Sequence, residues 1–429
     1  MAVRILYMFS LRASGGRRVR EGGVVDGPLA GVRVVEVASW SFVPSAGAVL
    51  AEWGADVVKV ERLEGGDPQR GLVATGVVPE AESGVDYLIE QPNHAKRSLA
   101  VDLEHPEGRR VLLDLCARAD VFLTNWLPGP RRRVGIDVDA IRAVNPGIIY
   151  VRGTGQGVRG PDAERGGYDG SAFWARAGTV DQLTLADDPY GPTQPPAFGD
   201  LIGGQTIAGG IAAALYRRAA TGTPSVVDVS LMAVGMWMMS PSIVSQRGRP
   251  GPSQRPPTRQ EAPNPVANRY RTRDGRVVHL VMLQAGRFWP ELVRAIGRPA
   301  LADDPRFADA EALRRHHGEA RAALEEVFAA RTLAEWRSVL ASVEGVWAVA
   351  QTPAEVHDDP QATANGYLAE VAAAEGPAFR LVANPVQFDE SPPTFDAAPS
   401  FGEHTDEILG ELGLDTDAIL ALKIAGAVL

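Results

Sequence analysis

From residue 27 onward the chain alternates short apolar runs with stretches whose apolar residues recur at helical spacing. Residues 32–37 form an apolar run, 44–53 suit a helix and 57–61 return to a β-rich run, which together make a βαβ unit. The alternation continues through a helix at 106–119, a strand at 121–124, a helix at 138–144 and a strand at 148–151. Repeated βαβ connections predict an α/β architecture, a parallel sheet with helices on both faces. A stretch of small residues, 201–219, reads as a tightly packed helix, followed by a strand at 226–229 and a Met-rich helix from Leu231.

Residues 247–265 are dense in Pro, Gly, Gln and Arg and have no apolar period, which marks a linker. Beyond it, strands near Tyr270 and at 277–283 turn at Asp274 and Gly275, and helices are expected at 287–295, 311–330 and 333–343. These are the elements of a smaller α+β domain. A second Pro-rich stretch, 384–399, leads into a helical region from Glu403. The first 26 residues read as a disordered extension, because Arg4 interrupts their apolar stretch and no small-residue cleavage pattern follows.

Composition narrows the classes of function. With 429 residues, 45% hydrophobic and 22% charged, the chain can bury a sizeable core, and wholesale disorder is excluded. Its 43 basic and 53 acidic side chains give a net charge of -10, the wrong sign for an extended nucleic-acid surface. A polyanionic ligand must therefore meet a local basic patch. The single Cys116 makes no internal disulfide, the seven histidines lack the spacing of a metal site, and a reducing compartment fits. No apolar run approaches the roughly 18 residues of a membrane span.

A dinucleotide site would need G-x-G-x-x-G in the first βα turn, where the backbone must approach a pyrophosphate. The chain has Ala38-Ser39-Trp40-Ser41-Phe42-Val43-Pro44 instead, and without the glycines Glu61 is a weak ribose-binding candidate. Two arginine-bearing stretches follow strands, Lys59 to Arg62 and Asn125 to Arg133, where guanidinium forks could hold phosphates or simply face solvent. Asp200 stands before the small-residue helix: it is either a helix cap or a carboxylate nucleophile with glycine amides nearby.

Several stretches, taken together, resemble the class III CoA-transferases, a family that includes formyl-CoA and carnitine CoA-transferases and alpha-methylacyl-CoA racemases. They are Gly27 to Val34, the segment around Gly54-Ala55-Asp56-Val57, Lys96-Arg97-Ser98 with Asp102, Asn125 to Gly135, Gly167-Tyr168-Asp169, Gly199-Asp200 and Gly402 to Glu407. In order and spacing they cover nearly everything after residue 26. The resemblance implies a Rossmann-like large domain built from 27–246 and a return segment, 366–429, around a small domain at 266–365. It also implies a cytoplasmic homodimer threaded as interlocked rings.

By the same resemblance, CoA contacts fall on Ser39, Trp40, Arg62, Val101, Asn125, Trp126, Arg133 and Tyr168, and the catalytic aspartate on Asp200. Asp169, Gly203 and Gly204 are its expected neighbours. The implied chemistry moves CoA from an acyl-CoA to a free carboxylic acid through an aspartyl anhydride and an aspartyl-CoA thioester, with Asp200 ionised and lightly solvated. No metal and no permanently bound cofactor is expected, since CoA and acyl-CoA are substrates, and neither nucleic acid nor membrane is a partner. The racemase branch uses a histidine before the aspartate where this chain has Tyr168-Asp169, and a phenol is a poor substitute for imidazole at neutral pH. Racemase and non-catalytic CoA-binding alternatives therefore stand behind the transferase. Ala262-Pro263-Asn264-Pro265 replaces the glycine-rich loop of formyl-CoA transferases, and Trp40, Ser41 and Phe42 replace polar first-turn groups. Both departures point away from formyl or oxalyl substrates and toward a larger acyl group.

Overall fold

Strands that bury both faces need cover on both sides, and a parallel sheet between helices supplies it. In the structure, a computed structural model, β1 (Arg33–Val37), β2 (Asp56–Glu61), β3 (Arg97–Ala100), β4 (Val121–Thr124), β5 (Ile149–Thr154) and β6 (Val226–Ser230) form one sheet. Their order is β3-β2-β1-β4-β5-β6, and every neighbouring pair is parallel. The described residues are 27–429 apart from 74, 80, 82–83, 186–187, 189, 249–256 and 373–377. The extension read at 1–26 and the middle of the linker read at 247–265 lie outside them.

The connecting helices are α1 (Phe42–Glu52), α2 (Tyr87–Asn93), α3 (Pro106–Arg118), α4 (Pro128–Val134), α5 (Val138–Val144), the short α6 (Thr179–Leu183), α7 (Phe198–Thr221) and α8 (Leu231–Met238). Helix α1 is buried along nearly its whole length, and α7 lies against it. The approach depends on α7 having no side chain at two positions. A Cβ on Gly203 would stand 2.4 Å from the Phe42 ring, and one on Gly204 would stand 1.9 Å from Ser45 Oγ.

Sequence periodicity missed β3 because Arg97 and Ser98 break its apolar pattern. All four of its residues are nevertheless buried. Arg97 pairs with Asp56, Glu407 and Glu411, and Ser98 Oγ donates to Glu61 at 2.7 Å. The polar groups enter the interior already partnered.

The described residues divide into two compact units. The first takes residues up to Thr179, Thr193–Met239 and Gly366–Leu429; the second takes Val180–Pro192 and Ser240–Asn365. The second contains α9 (Ser240–Gln246), α10 (Ala285–Ala295), α11 (Ala310–Arg315), α12 (His317–Phe328), α13 (Leu333–Leu340), α14 (Pro353–His357) and α15 (Pro360–Ala364). Its antiparallel sheet of β7 (Arg269–Arg271), β8 (Val277–Leu280) and β9 (Trp347–Val349) packs on a core in which Phe328 stacks on Tyr270 and meets Trp336 at a tilt. The single helix expected at 311–330 is two helices, because His316 leaves helical geometry (φ -107°, ψ 26°) just before Gly318.

The segment from Gly366 opens with a hairpin, β10 (Leu368–Val371) with β11 (Phe379–Val382), and ends in α16 (Thr405–Glu411) and α17 (Thr416–Ile424). It covers the free edge of β3: Thr405 Oγ1 accepts the Ala100 N–H, His404 N–H donates to the Ser98 carbonyl, and Val428 bridges Val101. An otherwise exposed sheet edge is thereby closed. No helix among the described residues is long and apolar enough to cross a membrane.

Candidate active site

In an open parallel sheet, ligands bind beyond the carboxyl ends of the strands where the strand order reverses, here between β1 and β4. A cavity of about 650 Å³ lies there, and every strand of the sheet contributes to its wall. Ser39 and Trp40 follow β1, Arg62 to Glu64 follow β2, Asp102 to Glu104 follow β3, Asn125 and Trp126 follow β4, Gly153 to Gly155 end β5, and Leu231 follows β6. Arg133, Tyr168 and Asp200 complete the match with the residues expected from sequence.

Four expected residues are absent from the cavity wall; of these, Asp169 lies behind Asp200, bonded to its amide. Val101 is fully buried in the core beside Val428, and its neighbour Asp102 reaches the cavity instead. Gly203 and Gly204 are absent from the cavity wall and serve the α1–α7 contact. They lie beyond the first turn of α7, whose amides turn inward to the helix from Leu201 N–H onward, so they are not oxyanion donors.

The turn between β1 and α1 carries a bulky residue in an unfavourable place. Trp40 adopts φ +69°, a left-handed geometry that costs an ordinary side chain roughly 1–2 kcal/mol. Its N–H donates to Asp67 Oδ1 at 3.1 Å, and on either side of the cleft Ser39 and Asn125 exchange a reciprocal pair of bonds. Held so, the Trp40 ring meets the exposed Tyr168 ring edge-on at 5.7 Å. Asp67 is anchored in turn by the fully buried Lys59, whose Nζ donates to it at 2.8 Å and also faces Glu36 and the Ala38 carbonyl. Burial alone would pull the Lys59 ammonium down, but Asp67, Glu36 and Glu61 hold it above the usual lysine value. Glu36 also binds Lys96, whose pKa burial brings down to about 8. Sequence reading missed Asp67, although its place in Gly65-Gly66-Asp67-Pro68 marks a turn.

Glu61 is not a ribose ligand. It is buried and bonded to Arg70, Ser98 and the Asp67 amide. Burial pushes its pKa up, yet Arg70 and Lys59 outweigh that and hold it at about 2. The arginine run on α4 splits three ways: Arg131 is buried, Arg132 turns to Glu164, and Arg133 lines the cavity 3.4 Å from Glu104. Arg165 joins Arg62 and Arg133 there, from a glycine-rich loop without a pattern that would single it out. Phe42, Leu63, Leu103, Leu127 and Leu231 make much of the remaining wall apolar.

Asp200 stands in the first turn of α7 and lines this cavity. The sequence reading expected it to be ionised. Burial, and secondarily the charge of Asp169, push its pKa up to about 7, so near neutral pH it is divided between its two forms. Asp169 is itself buried, and its Oδ2 accepts the Gly199 N–H at 2.9 Å and the Asp200 N–H at 3.3 Å. Among the described residues no group of side chains is placed to hold a metal ion.

The chain matches the model of CoA-transferase family III over residues 29–405, and it belongs to that family. It is 31% identical over 396 residues to a cinnamoyl-CoA:phenyllactate CoA-transferase of Clostridium sporogenes, covering 92% of this chain and 95% of that protein. It is 30% identical over 397 residues to an (R)-2-hydroxy-4-methylpentanoate CoA-transferase of Clostridioides difficile, covering 92% and 98%. Among solved structures it is similar to a CAIB/BAIF family protein from Brucella suis, with a TM-score of 0.76, 28% identity and 90% and 99% coverage. It also resembles Rv3272 from Mycobacterium tuberculosis, with a TM-score of 0.73, 28% identity and 89% and 99% coverage. The α/β fold with its parallel sheet and smaller unit, and CoA-transferase chemistry with acyl-CoA as substrate, go with that membership.

Replacing Lys59 by Met leaves the carboxylate of Asp67 buried without its cation. The expected loss is about 3–5 kcal/mol of unfolding free energy, read as a lowered urea midpoint at unchanged slope.

Proposed function

We propose that this enzyme moves CoA from an acyl-CoA donor to a free carboxylic acid, with Asp200 as the covalent nucleophile. The observation that carries the reading is a desolvated carboxylate in the wall of a cavity that residues at or just after the ends of all six strands line. In the first step an Asp200 oxygen attacks the thioester carbonyl, the C–S bond breaks, and a mixed anhydride and CoA thiolate result. The thiolate then attacks the aspartyl carbonyl, releasing the donor's carboxylate and leaving an aspartyl-CoA thioester. The acceptor carboxylate attacks that thioester, expelling the thiolate and forming a second mixed anhydride, and the thiolate then attacks the acceptor carbonyl of this anhydride, which gives the new acyl-CoA and releases the Asp200 carboxylate. Thioester energy is conserved as long as water is kept from these covalent intermediates.

Arg62 and Arg133 meet the CoA phosphates in this reading, and Trp40, Trp126 and Tyr168 flank the rest of the cofactor-sized ligand. The apolar wall of Phe42, Leu63, Leu103 and Leu231 favours an apolar acyl group. The names of the two relatives, one acting on phenyllactate and one on a branched 2-hydroxy acid, agree with that preference. The racemase alternative finds less support. The position that holds the histidine in the racemase branch is Tyr168, exposed and packed on Trp40, and a phenol is a poor acid-base partner at neutral pH.

The working unit in this proposal is a cytoplasmic homodimer of interlocked protomers. Tyr216 on α7 and Trp237 on α8 are 77% and 81% exposed, large apolar surface of the kind an interface covers. Light scattering should therefore return a dimer mass, and a monomer at micromolar concentration would reject the assembly.

Incubation with cinnamoyl-CoA, acetyl-CoA or succinyl-CoA should give an adduct at Asp200 that hydroxylamine traps, and Asp200→Ala should abolish both adduct and exchange. Exchange that survives the substitution would refute the mechanism. Because attack requires the ionised carboxylate, adduct formation should rise with pH through a midpoint near 7 and level above it. Arg62→Ala and Arg133→Ala should each weaken CoA binding by about tenfold to a hundredfold in calorimetry.

A further inference from the structure

We propose that Asp169 is a positioning residue for Asp200: from outside α7 it caps the helix turn that carries Asp200, and it holds a negative charge against the attacking carboxylate. The proposal rests on Asp200 being the nucleophile.

Helix α7 lacks a cap of its own. Its N-cap residue is Ala197, at φ +54° and with no side-chain oxygen to accept the first amides. Those amides are met from 30 positions upstream, where Asp169 Oδ2 takes the Gly199 N–H and the Asp200 N–H together. The backbone of Asp200 is thus tied directly to the neighbouring carboxylate. The approach requires glycine at 199, since a Cβ there would stand 2.3 Å from the Phe173 ring and 2.5 Å from Asp169 Oδ1.

The other half of the Asp169 carboxylate is left bare. Oδ1 is buried and has no hydrogen-bond partner. A charge compensated on one oxygen only, away from water, acts strongly on its neighbours. Burial and then Asp169 account for the upward displacement of Asp200. The other ionisable groups of the cavity wall are Arg62, Glu64, Asp102, Glu104, Arg133 and Arg165, with Tyr168 between them and Asp169 in sequence. From α1, Ser45 Oγ donates to the Asp200 carbonyl, and from α8 the neighbour is apolar Leu231.

The catalytic consequence follows from charge. Every covalent form of Asp200, anhydride or thioester, is neutral, so acylation removes the repulsion that the free carboxylate feels from Asp169. The fixed charge therefore raises the free enzyme relative to its covalent intermediates and makes Asp200 the more basic partner in acyl exchange.

The test reads the titration of Asp200 without needing the natural substrate. Carboxyl-labelled aspartate spectra of the full chain, wild type minus Asp200→Asn, isolate its signal. The same difference taken between Asp169→Asn and Asp169→Asn/Asp200→Asn should place the midpoint about one pH unit or more lower, a tenfold change in proton affinity. An unmoved midpoint overturns the proposal. Should Asp169→Asn not fold, Asp169→Glu keeps the charge but displaces the oxygens from the two amides. Its trapped adduct with the acyl-CoA that labels the wild type should form at least tenfold more slowly while the midpoint stays high, and a wild-type rate overturns the proposal. A shifted midpoint in a protein that never forms an adduct would instead count against the transferase reading, whereas a normal adduct with an unmoved midpoint counts against Asp169 alone.

Discussion

The mouth of the parallel sheet hangs from one buried ammonium. Lys59 has no exposure to water and is surrounded by Asp67, Glu36 and the Ala38 carbonyl. An ion so placed is tolerable only when its partners are fixed, and each partner fixes something further. Asp67 holds the Trp40 amide in its left-handed turn, which sets the ring against Tyr168 above the cavity. Glu36 holds Lys96, and Lys96 in turn binds the Pro44 carbonyl at the start of α1 and Asn93 at the end of α2. Gly47 leaves room for this arrangement, since a Cβ there would stand 2.0 Å from Glu36 Oε2. The cavity shape is thus a consequence of charge pairing beneath it.

The first βαβ units were legible because buried parallel strands are nearly continuous apolar runs, as in residues 121–124. Arg62, Asn125 and Trp126 could be placed near one another because each follows a parallel strand and the carboxyl ends share one side of the sheet, whereas Trp40, Tyr168 and Asp200 were assigned only through the family resemblance. What stayed hidden has a common physical cause. Strand β3 carries its polar residues inside, and their partners, Glu61, Glu407 and Glu411, are distant in sequence. The cap of α7 is likewise long-range: a local reading of Ala197 finds no cap and cannot see Asp169. Gly203 and Gly204 were misread for a related reason, since glycine in sequence does not distinguish an available amide from a close helix contact.

Net charge and local charge part company in this protein. The chain carries ten more acidic than basic groups, and three cavity arginines stand among Glu64, Asp102 and Glu104. A mixed rim of this kind recognises an anion by geometry. It offers little long-range attraction to polyanions in general.

The closure of the β3 edge has a bearing on how the protein is made. Ala100 waits for a hydroxyl 305 positions further along the chain, and Val101 for Val428. In a growing chain the first sheet therefore keeps an open, pairing-competent edge at β3 until Thr405 and Val428 follow, after the whole second unit has been made.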